Sequence, residues 1–280
     1  MEKIRRALKL LRMCWQVLKL DRELIVFPIL SALSAGAVIA IFVVPFVLHD
    51  EAFNKFASIV GLSGGLADYA LTFLLYFLLY FVFIFFNAAL IACAKIRFAG
   101  GDPTVADGIN ASLSRLPQIF VWALVTSVVG FLLNQFAKKK EGLASIIVGL
   151  IGAGWAIATY FAVPVLVSEK VGPIDAIKRS VAVLKKTWGE ALVSEVGFSA
   201  LSFIAAIPAI IMFFVGSITL ETQQAVGFLL IGAAGLWFVT MSLVLSTLGS
   251  ILKAGLYHYA TEGGVPDQFD ADVVKNAFHE

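Results

Sequence analysis

The chain has 280 residues and a formal net charge of +2, and 60% of its residues are hydrophobic while only 14% are charged. Its mean hydropathy is +0.93, and a water-soluble fold of this size could not bury that much apolar surface without leaving large exposed patches. The composition therefore excludes a soluble enzyme or a nucleic-acid-binding domain, and two cysteines are too few for a disulfide framework. We expect an integral membrane protein.

Long apolar runs predict membrane-spanning helices, because lipid offers the backbone no hydrogen-bonding partner and each segment must satisfy its own polar groups. The runs do not alternate polar and apolar residues as the strands of a membrane barrel do. The predicted fold class is all-α, a polytopic integral membrane protein with six transmembrane helices and amphipathic surface helices. The predicted spans are Leu24–Leu48, Tyr69–Ile96, Pro117–Phe136, Leu143–Ser168, Ala191–Gly216 and Ala225–Ala260, with kinks expected at Pro45, Pro164 and Pro208.

Three basic segments outside the spans carry apolar residues at helical spacing, three or four positions apart, with cations beside the stripe. This pattern predicts amphipathic helices that lie along the membrane surface, with the stripe toward acyl chains or the helix bundle and the cations toward phosphate headgroups. The stripes are Ile4, Leu8, Leu11, Trp15 and Leu18; Val105, Ile109, Leu113, Leu116 and Phe120; and Ile174, Ile177, Val181, Leu184 and Trp188.

These segments also align with one another. The first segment aligns with the third by a constant shift of 173, which pairs Trp15 with Trp188. The second segment also aligns with the third, by a shift of 70, which pairs Pro103 with Pro173. The sequence therefore predicts one membrane domain, 1–280, built from three tandem units of a surface helix and two spans, although amphipathic helices can also resemble one another by chance. The units are 1–96, 97–168 and 169–260, followed by a tail, 261–280, with a further surface helix at Phe269, Val273 and Ala277.

Cations predict the orientation of the chain, because Lys and Arg accumulate on the cytoplasmic side. With a cytoplasmic N-terminus, all but four of the 21 Lys and Arg residues fall on that side, the exceptions being Lys55, Lys138, Lys139 and Lys140. Six spans return the C-terminus to the cytoplasm. We expect the surface-helix cations to contact anionic lipid headgroups, a protein partner or a second copy of the chain. The candidate contact residues are Arg5, Arg6, Lys178, Arg179, Lys185 and Lys186.

Polar residues inside the spans form a second candidate site. In the sixth span, polar side chains recur on one face, and a polar face at membrane depth is expected to look inward, either toward a wet cavity or into hydrogen bonds between helices. The candidate cavity residues are Asn87, Glu195, Ser242, Ser246, Ser250, Lys253 and Tyr257.

No catalytic pattern accompanies these groups. The three histidines, His49, His258 and His279, do not fall on one side of the predicted topology, and we find no nucleophile elbow, zinc-protease helix or phosphate-binding loop in the sequence. Asp102 and Asp107 are expected to cap the middle surface helix. We predict no metal, no cofactor and no enzymatic activity.

The stretch WQVLKLDRELIVFPILSAL, from Trp15 to Leu33, resembles a group of uncharacterised prokaryotic six-helix membrane proteins. In that group a basic segment with a Trp leads through an acidic pair and Phe-Pro into the first span; here these residues are Trp15, Asp21, Glu23, Phe27 and Pro28. The layout is also similar to the membrane domain of some glycerophosphodiester phosphodiesterases. Their catalytic domain has no counterpart here, so the resemblance implies a fold and no activity.

Two functions remain open from the sequence. The first is a non-enzymatic, multi-pass protein of the cytoplasmic (inner) membrane that acts as a scaffold or assembly partner of a membrane complex, or in the organisation of envelope lipids. The alternative is a permease or lipid transporter that uses the polar face of the sixth span.

Overall fold

The computed structural model describes residues 2–47, 66–138, 143–186 and 188–263, and the side chains of 9–42, 69–137, 145–186 and 199–263. All regular structure in these ranges is helical, which confirms the predicted class. The helices are α1 (Glu2–Leu20), a short 3-10 helix (Arg22–Ile25), α2 (Val26–Val47), α3 (Leu66–Phe98), α4 (Val105–Ser114), α5 (Leu116–Lys138), α6 (Leu143–Ala158), α7 (Ala162–Glu169), α8 (Pro173–Lys186), α9 (Trp188–Thr219) and α10 (Gln224–Glu262).

Six segments of the described chain are long and apolar enough to cross a membrane, as predicted. Each overlaps one predicted span, and the helices that carry the first and fifth spans, α2 and α9, extend to Val47 and begin at Trp188. The segments are Arg22–Phe42, Tyr69–Phe98, Leu116–Ala137, Ser145–Glu169, Ser199–Thr219 and Gln224–Glu262.

The fourth span is not one continuous helix. It is interrupted at residues 159–161, between α6 and α7. Pro164 explains the break, because proline has no N–H to donate to the carbonyl of Tyr160 and its ring collides with that carbonyl in a helix. The predicted kink at Pro164 is confirmed, and it is a complete break in the helix. By contrast, Pro208 lies within the uninterrupted α9, and α2 continues past Pro45.

The described chain divides into two compact units. The first comprises Met1–Ile25, Ala94–Asp102 and Lys186–Glu280. Within it, α9 and α10 form an antiparallel pair and α1 packs against both. The pair approaches closely near its turn, where a Cβ built on Gly216 would lie 2.9 Å from Ile231 Cγ1. Buried side chains of α1, including Leu10, Cys14 and Val17, contribute to the core of this unit.

The second unit comprises Val26–Cys93 and Pro103–Lys185. Aromatic side chains join its spans: Phe131 of α5 meets three rings of α3 edge-on, and Trp122 of α5 stacks on Trp155 of α6 with centroids 6.1 Å apart. Gly108 brings α4 against α3, because a Cβ there would lie 2.7 Å from Cys93 Sγ and 2.5 Å from Phe27 Cζ. A larger residue at 108 would force these elements apart.

Two of the surface helices, α4 and α8, are buried mainly along a side that lies next to their predicted apolar stripes. In α8 the buried residues are Ala176, Ser180, Val183 and Leu184. Of the stripe residues, Leu184 is buried, Ile177 and Val181 are half-buried and Ile174 is 70% exposed. In α4 the buried residues are Gly108 and Ser112. Small side chains let a helix backbone approach the spans closely. Part of each stripe therefore faces outward, toward the surroundings that lipid would occupy.

The N-terminal helix follows its predicted stripe more closely. Leu11 and Leu18 are buried, while Trp15 is 42% exposed. The side chains of Ile4, Leu8 and Trp188 lie outside those described, as does the whole predicted tail helix. The tandem duplication stays a prediction.

Candidate functional site

A charged cluster in the first unit ties the end of α1 to the end of α3. Asp21 follows α1 directly; its N–H donates to Val17 O at 3.0 Å, and its carbonyl accepts from Leu24 N at 3.1 Å. This turn directs the Asp21 side chain, only 4% exposed, onto Arg97. The guanidinium donates through Nε and Nη2 to both carboxylate oxygens of Asp21, and Nη2 also donates to Asp102. Such a two-point ion pair fixes orientation as well as distance.

The same end of α3 also contacts the C-terminal part of α10. Lys95 Nζ lies 5.8 Å from the ring centroid of the buried Tyr257. The His258 ring is 6.1 Å from Phe98, and its Nδ1 is 3.2 Å from a carboxylate oxygen of Glu262. The contacts of Lys95 with Tyr257 and of Phe98 with His258 hold the two helix ends together.

Exposed cations of α8 form the clearest surface feature among the predicted contact residues. Lys178, Lys185 and Lys186 are exposed. Lys178 is 3.5 Å from the exposed Asp175, a weak interaction in water. Arg179 differs, because its Nε donates to Glu169 at the end of α7 at 2.8 Å. The side chains of Arg5 and Arg6 lie outside those described.

The polar residues predicted to share one face of the sixth span differ in how far they are buried. Ser242 and Ser246 lie on the exposed surface of α10, whereas Ser250 and Tyr257 are buried. The Ser250 hydroxyl donates to the carbonyl of Ser246 at 3.0 Å, within its own helix. Lys253 is half-buried. The residues share a face by spacing, but the structure does not gather them around one interior space.

The other two candidate cavity residues are separate from this face. Asn87 is half-buried in α3, in the second unit. Glu195 belongs to α9, and its side chain lies outside those described.

The predicted caps of the middle surface helix are half correct. Thr104 is the N-cap of α4 and forms a capping box with Asp107: the Asp107 N–H donates to Thr104 Oγ1, and the Asp107 carboxylate accepts from the Thr104 N–H. The Thr104 hydroxyl, and then its backbone N–H, hold the pKa of Asp107 below its ordinary value. The prediction for Asp102 is wrong, because its carboxylate binds Arg97 instead.

The histidine, cysteine and acidic side chains are the residue types that could hold a metal or act as nucleophiles. Among the residues that the structure describes, no three His, Cys, Asp or Glu side chains are arranged to bind a metal ion. Cys14 and Cys93 are buried and unpaired with each other. Burial raises the pKa of the Cys14 thiol, and the Cys93 thiol donates to Thr104 O at 3.3 Å.

Two features were missed by sequence reasoning. Asp21 and Arg97 are 76 positions apart, but each stands at the end of an apolar run, where an unlike charge on another span end is a natural partner. Arg115 Nη1 and Gln118 Oε1, near the start of the third span, are covered and have no hydrogen-bond partner. In the sequence, only the position of these two polar residues beside an apolar run could have drawn attention to them.

Comparison with known proteins places the chain in a family without giving it an activity. No curated protein matches it. A family model described as "Family of unknown function (DUF6159)" matches residues 66–266. This confirms the expected membership of an uncharacterised family, on residues other than the Trp15–Leu33 stretch; the likeness to the membrane domain of glycerophosphodiester phosphodiesterases stays a prediction. Since the match covers well over half of its length, the chain belongs to the DUF6159 family of unknown function.

Proposed function

We propose that this multi-pass membrane protein is a non-enzymatic organiser of the cytoplasmic (inner) membrane, with both termini in the cytoplasm. Its surface helices bind anionic lipid headgroups and thereby organise envelope lipids or seat a membrane complex. The six apolar helices support the membrane setting. The orientation rests on the distribution of Lys and Arg along the sequence.

The observation that carries the proposal is the outward side of α8. Ala176, Ser180 and Val183 are buried, so the opposite side, with Ile174 and Lys178, faces away from the protein. An exposed isoleucine beside exposed lysines suits the boundary between acyl chains and phosphates. Each cation near an anionic leaflet contributes about 1 kcal/mol of attraction.

Transport through the sixth span finds less support in the geometry. A cavity would need Ser242 and Ser246 to face the same interior space as Ser250, whereas the first two are exposed and the third is buried against other helices. Hydrogen bonding of Ser250 to its own helix is a common use of serine in membrane helices.

Lipid selectivity measured by electron paramagnetic resonance tests the proposal. The full-length protein is reconstituted in phosphatidylcholine, and the motionally restricted fraction of spin-labelled phosphatidylglycerol is compared with that of spin-labelled phosphatidylcholine. We expect selectivity for phosphatidylglycerol that falls with added salt. In a triple variant with Lys178, Lys185 and Lys186 replaced by Gln, this selectivity should drop several-fold.

A triple variant with Arg at the same positions is the matched control, because it keeps the charge, and it should retain the selectivity. Equal selectivity in the wild type and the Gln variant would refute a headgroup role for α8. Native mass spectrometry from the protein's own membranes then separates the two forms of the proposal. A stoichiometric protein partner supports the scaffold form, and retained lipid without a protein partner supports lipid organisation.

A further inference from the structure

The outer side of α1 carries three cations. Lys9, Arg12 and Lys19 are exposed, and their spacing places them on one side of the helix, opposite the buried Cys14. Gln16, between them, is exposed as well. Within the described ranges no carboxylate forms an ion pair with any of these three cations. We call Lys9, Arg12 and Lys19 the outer cations.

Few apolar side chains accompany the outer cations. Trp15 is 42% exposed, and its ring centroid lies 5.9 Å from Lys19 Nζ. Leu20, at the end of α1, is 62% exposed. The whole helix carries six Lys and Arg residues and one acid, Glu2. A face with this much charge is suited to water and anionic groups rather than to acyl chains, and it attracts a partner of the opposite charge.

An acidic segment of the same chain is the tail, whose residues 264–280 lie outside the described part. Its acids are Asp267, Asp270, Asp272 and Glu280, and its one cation is Lys275. We call Asp267, Asp270 and Asp272 the tail aspartates. An anionic leaflet repels such a segment, because the surface potential that attracts Lys and Arg opposes carboxylates. The outer cations of α1, by contrast, attract it.

The tail leaves α10 near the C-terminal end of α1. α10 packs against α1 and against the 3-10 helix that follows it. Near the end of α10, His258 contacts Phe98. The neighbouring Arg97 binds Asp21, directly after α1. Gly263 ends α10 with a φ of 71°, a left-handed conformation that suits glycine. The starting point of the tail and the outer cations therefore belong to the same compact unit.

The tail is long enough to reach every outer cation. The outer cations extend over ten positions of α1, from Lys9 to Lys19, which is about 15 Å along a helix. The nine positions from Gly263 to Asp272 extend up to about 30 Å in an open chain. The tail aspartates can therefore lie alongside the whole row of cations.

We infer that the acidic tail binds the outer side of α1 in the same molecule, with the tail aspartates paired to the outer cations. Each exposed pair is weak on its own, but the tether keeps the tail at a high local concentration, so the pairs act together. The bound tail excludes anionic headgroups from α1 and leaves the lysines of α8 as the lipid contact. This contact goes beyond the proposed function and does not depend on it.

Distances measured by double electron–electron resonance test the contact in the full-length protein. One spin label is placed at L20C, beside the outer cations, and the other at N276C in the tail, in phosphatidylcholine nanodiscs. The natural cysteines give little background because both are buried. We expect one narrow distance distribution, which broadens as added salt screens the charges. A broad distribution at low salt would overturn the inference, and so would a narrow one that salt does not change.

Charge variants identify the groups that pair. Asn at all three tail aspartates should lower the fraction of molecules with the narrow distance several-fold. The matched control is Gln at Lys178, Lys185 and Lys186, because it removes three charges from a different surface helix, and it should leave the distribution unchanged. An equal loss in both triple variants would mean that the overall charge of the protein, and not the tail, sets the distance.

Exchange of the charges tests direct pairing. Glu at the outer cations or Lys at the tail aspartates should each abolish the narrow distance, and the two changes together should restore it. If the combined variant stayed broad, the tail aspartates and the outer cations would not be partners. The salt series on the wild type requires no substitution of either group, so it remains decisive if an exchanged variant does not fold.

Two other occupants of the outer side of α1 give different results. In proteoliposomes that mix protein labelled only at L20C with protein labelled only at N276C, a narrow distance would assign the contact to the tail of a second copy and overturn the assignment within one molecule. In nanodiscs with added phosphatidylglycerol the narrow distance should persist. Its loss there would mean that headgroups, and not the tail, occupy α1.

The tail contact and the lipid contact of α8 fail separately. Gln at Lys178, Lys185 and Lys186 should remove the salt-dependent lipid selectivity and keep the narrow distance. Asn at the tail aspartates should remove the narrow distance and keep the selectivity that depends on α8. Loss of that selectivity in the Asn variant would contradict the assignment of the lipid contact and the tail contact to different helices.

Discussion

At the scale of single residues, the ion pair between Asp21 and Arg97 is the best-defined polar contact of the first unit. Asp21 is almost fully covered, while the second carboxylate on Arg97, that of Asp102, is 93% exposed. A covered ion pair loses much more when one partner is removed than an exposed pair does, because the remaining charge stays out of water. The two aspartates should therefore differ sharply in their effect on stability.

We expect D21N to lower the free energy of unfolding by about 3 kcal/mol. D102N should change it by less than about 1 kcal/mol. Reversible unfolding of both variants in mixed micelles, under identical conditions, measures the difference. Similar losses for the two substitutions would mean that Asp21 is not the anchoring carboxylate.

The capping box of α4 gives a pH-dependent prediction. The pKa of Asp107 is lowered in the folded state by the hydroxyl and then the N–H of Thr104. A lowered folded pKa means that the carboxylate stabilises the fold above the unfolded pKa and that this stabilisation is lost as the pH falls through the folded pKa. T104V removes the hydroxyl and should bring the pKa of Asp107 back toward its ordinary value. Nuclear magnetic resonance titration of the Asp107 carboxyl carbon measures the pKa, and an unchanged value in T104V would contradict the capping role.

At the scale of whole elements, α8 is fastened to the interruption of the fourth span. The Phe161 N–H lies in the break that Pro164 imposes, and it donates to the Ser180 hydroxyl at 3.0 Å. Both residues are fully buried. A surface helix thus supplies a hydrogen bond that the broken span cannot form with itself. This explains why a polar residue occupies the buried side of α8.

Removal of this hydroxyl should loosen α8 from the span. We expect S180A to lower the free energy of unfolding by about 1–3 kcal/mol, because it deprives a buried N–H of its acceptor. S114A is the matched control: Ser114 is exposed, and its hydroxyl donates to Ala111 O within α4. Unfolding in mixed micelles compares the two. If S180A were as stable as S114A, the contact with Phe161 would not hold α8 in place.

Periodicity predicted where the helices lie, and the buried side of α1, but not the side along which α4 and α8 are mainly buried. The stripe through Ile174 and Ile177 is regular, yet Ala176 and Ser180 face the spans. In water an apolar stripe must turn inward, but lipid is as apolar as a protein core, so large apolar side chains are equally suited to either. The small residues beside the stripe were the better indicator. This is a property of the solvent, and no analysis of apolar spacing alone could have resolved it.

The polar contacts were harder to predict for a different reason. Asp21 and Arg97 were each visible at the end of a span, but their pairing depends on how α1 and α3 meet. The polar face of α10 presents the opposite difficulty. Ser246 and Ser250 lie on the same side of the helix by spacing, yet Ser246 is exposed and Ser250 is buried. Spacing fixes positions on one helix, whereas burial depends on its neighbours.

At the scale of the whole molecule, the distribution of charge implies an orientation that can be measured. The turn between α9 and α10 carries the exposed Glu221, and the far end of α10 carries the exposed Glu262. The predicted topology puts the first outside the cytoplasm and the second inside it. The 39 residues of α10 are long enough to separate them by a bilayer.

Single cysteines at these two sites test the orientation in whole cells. The natural thiols give little background because both are buried, and the raised pKa of Cys14 further reduces its reactive thiolate. A membrane-impermeant maleimide should label E221C in intact cells with a permeabilised outer layer, and E262C only after the cytoplasmic membrane is opened. The reverse pattern would invert the orientation and place the lysines of α8 outside the cytoplasm. Labelling of both sites in closed cells would mean that α10 does not cross the membrane. The six predicted spans would then be five, and the two termini would lie on opposite sides of the membrane.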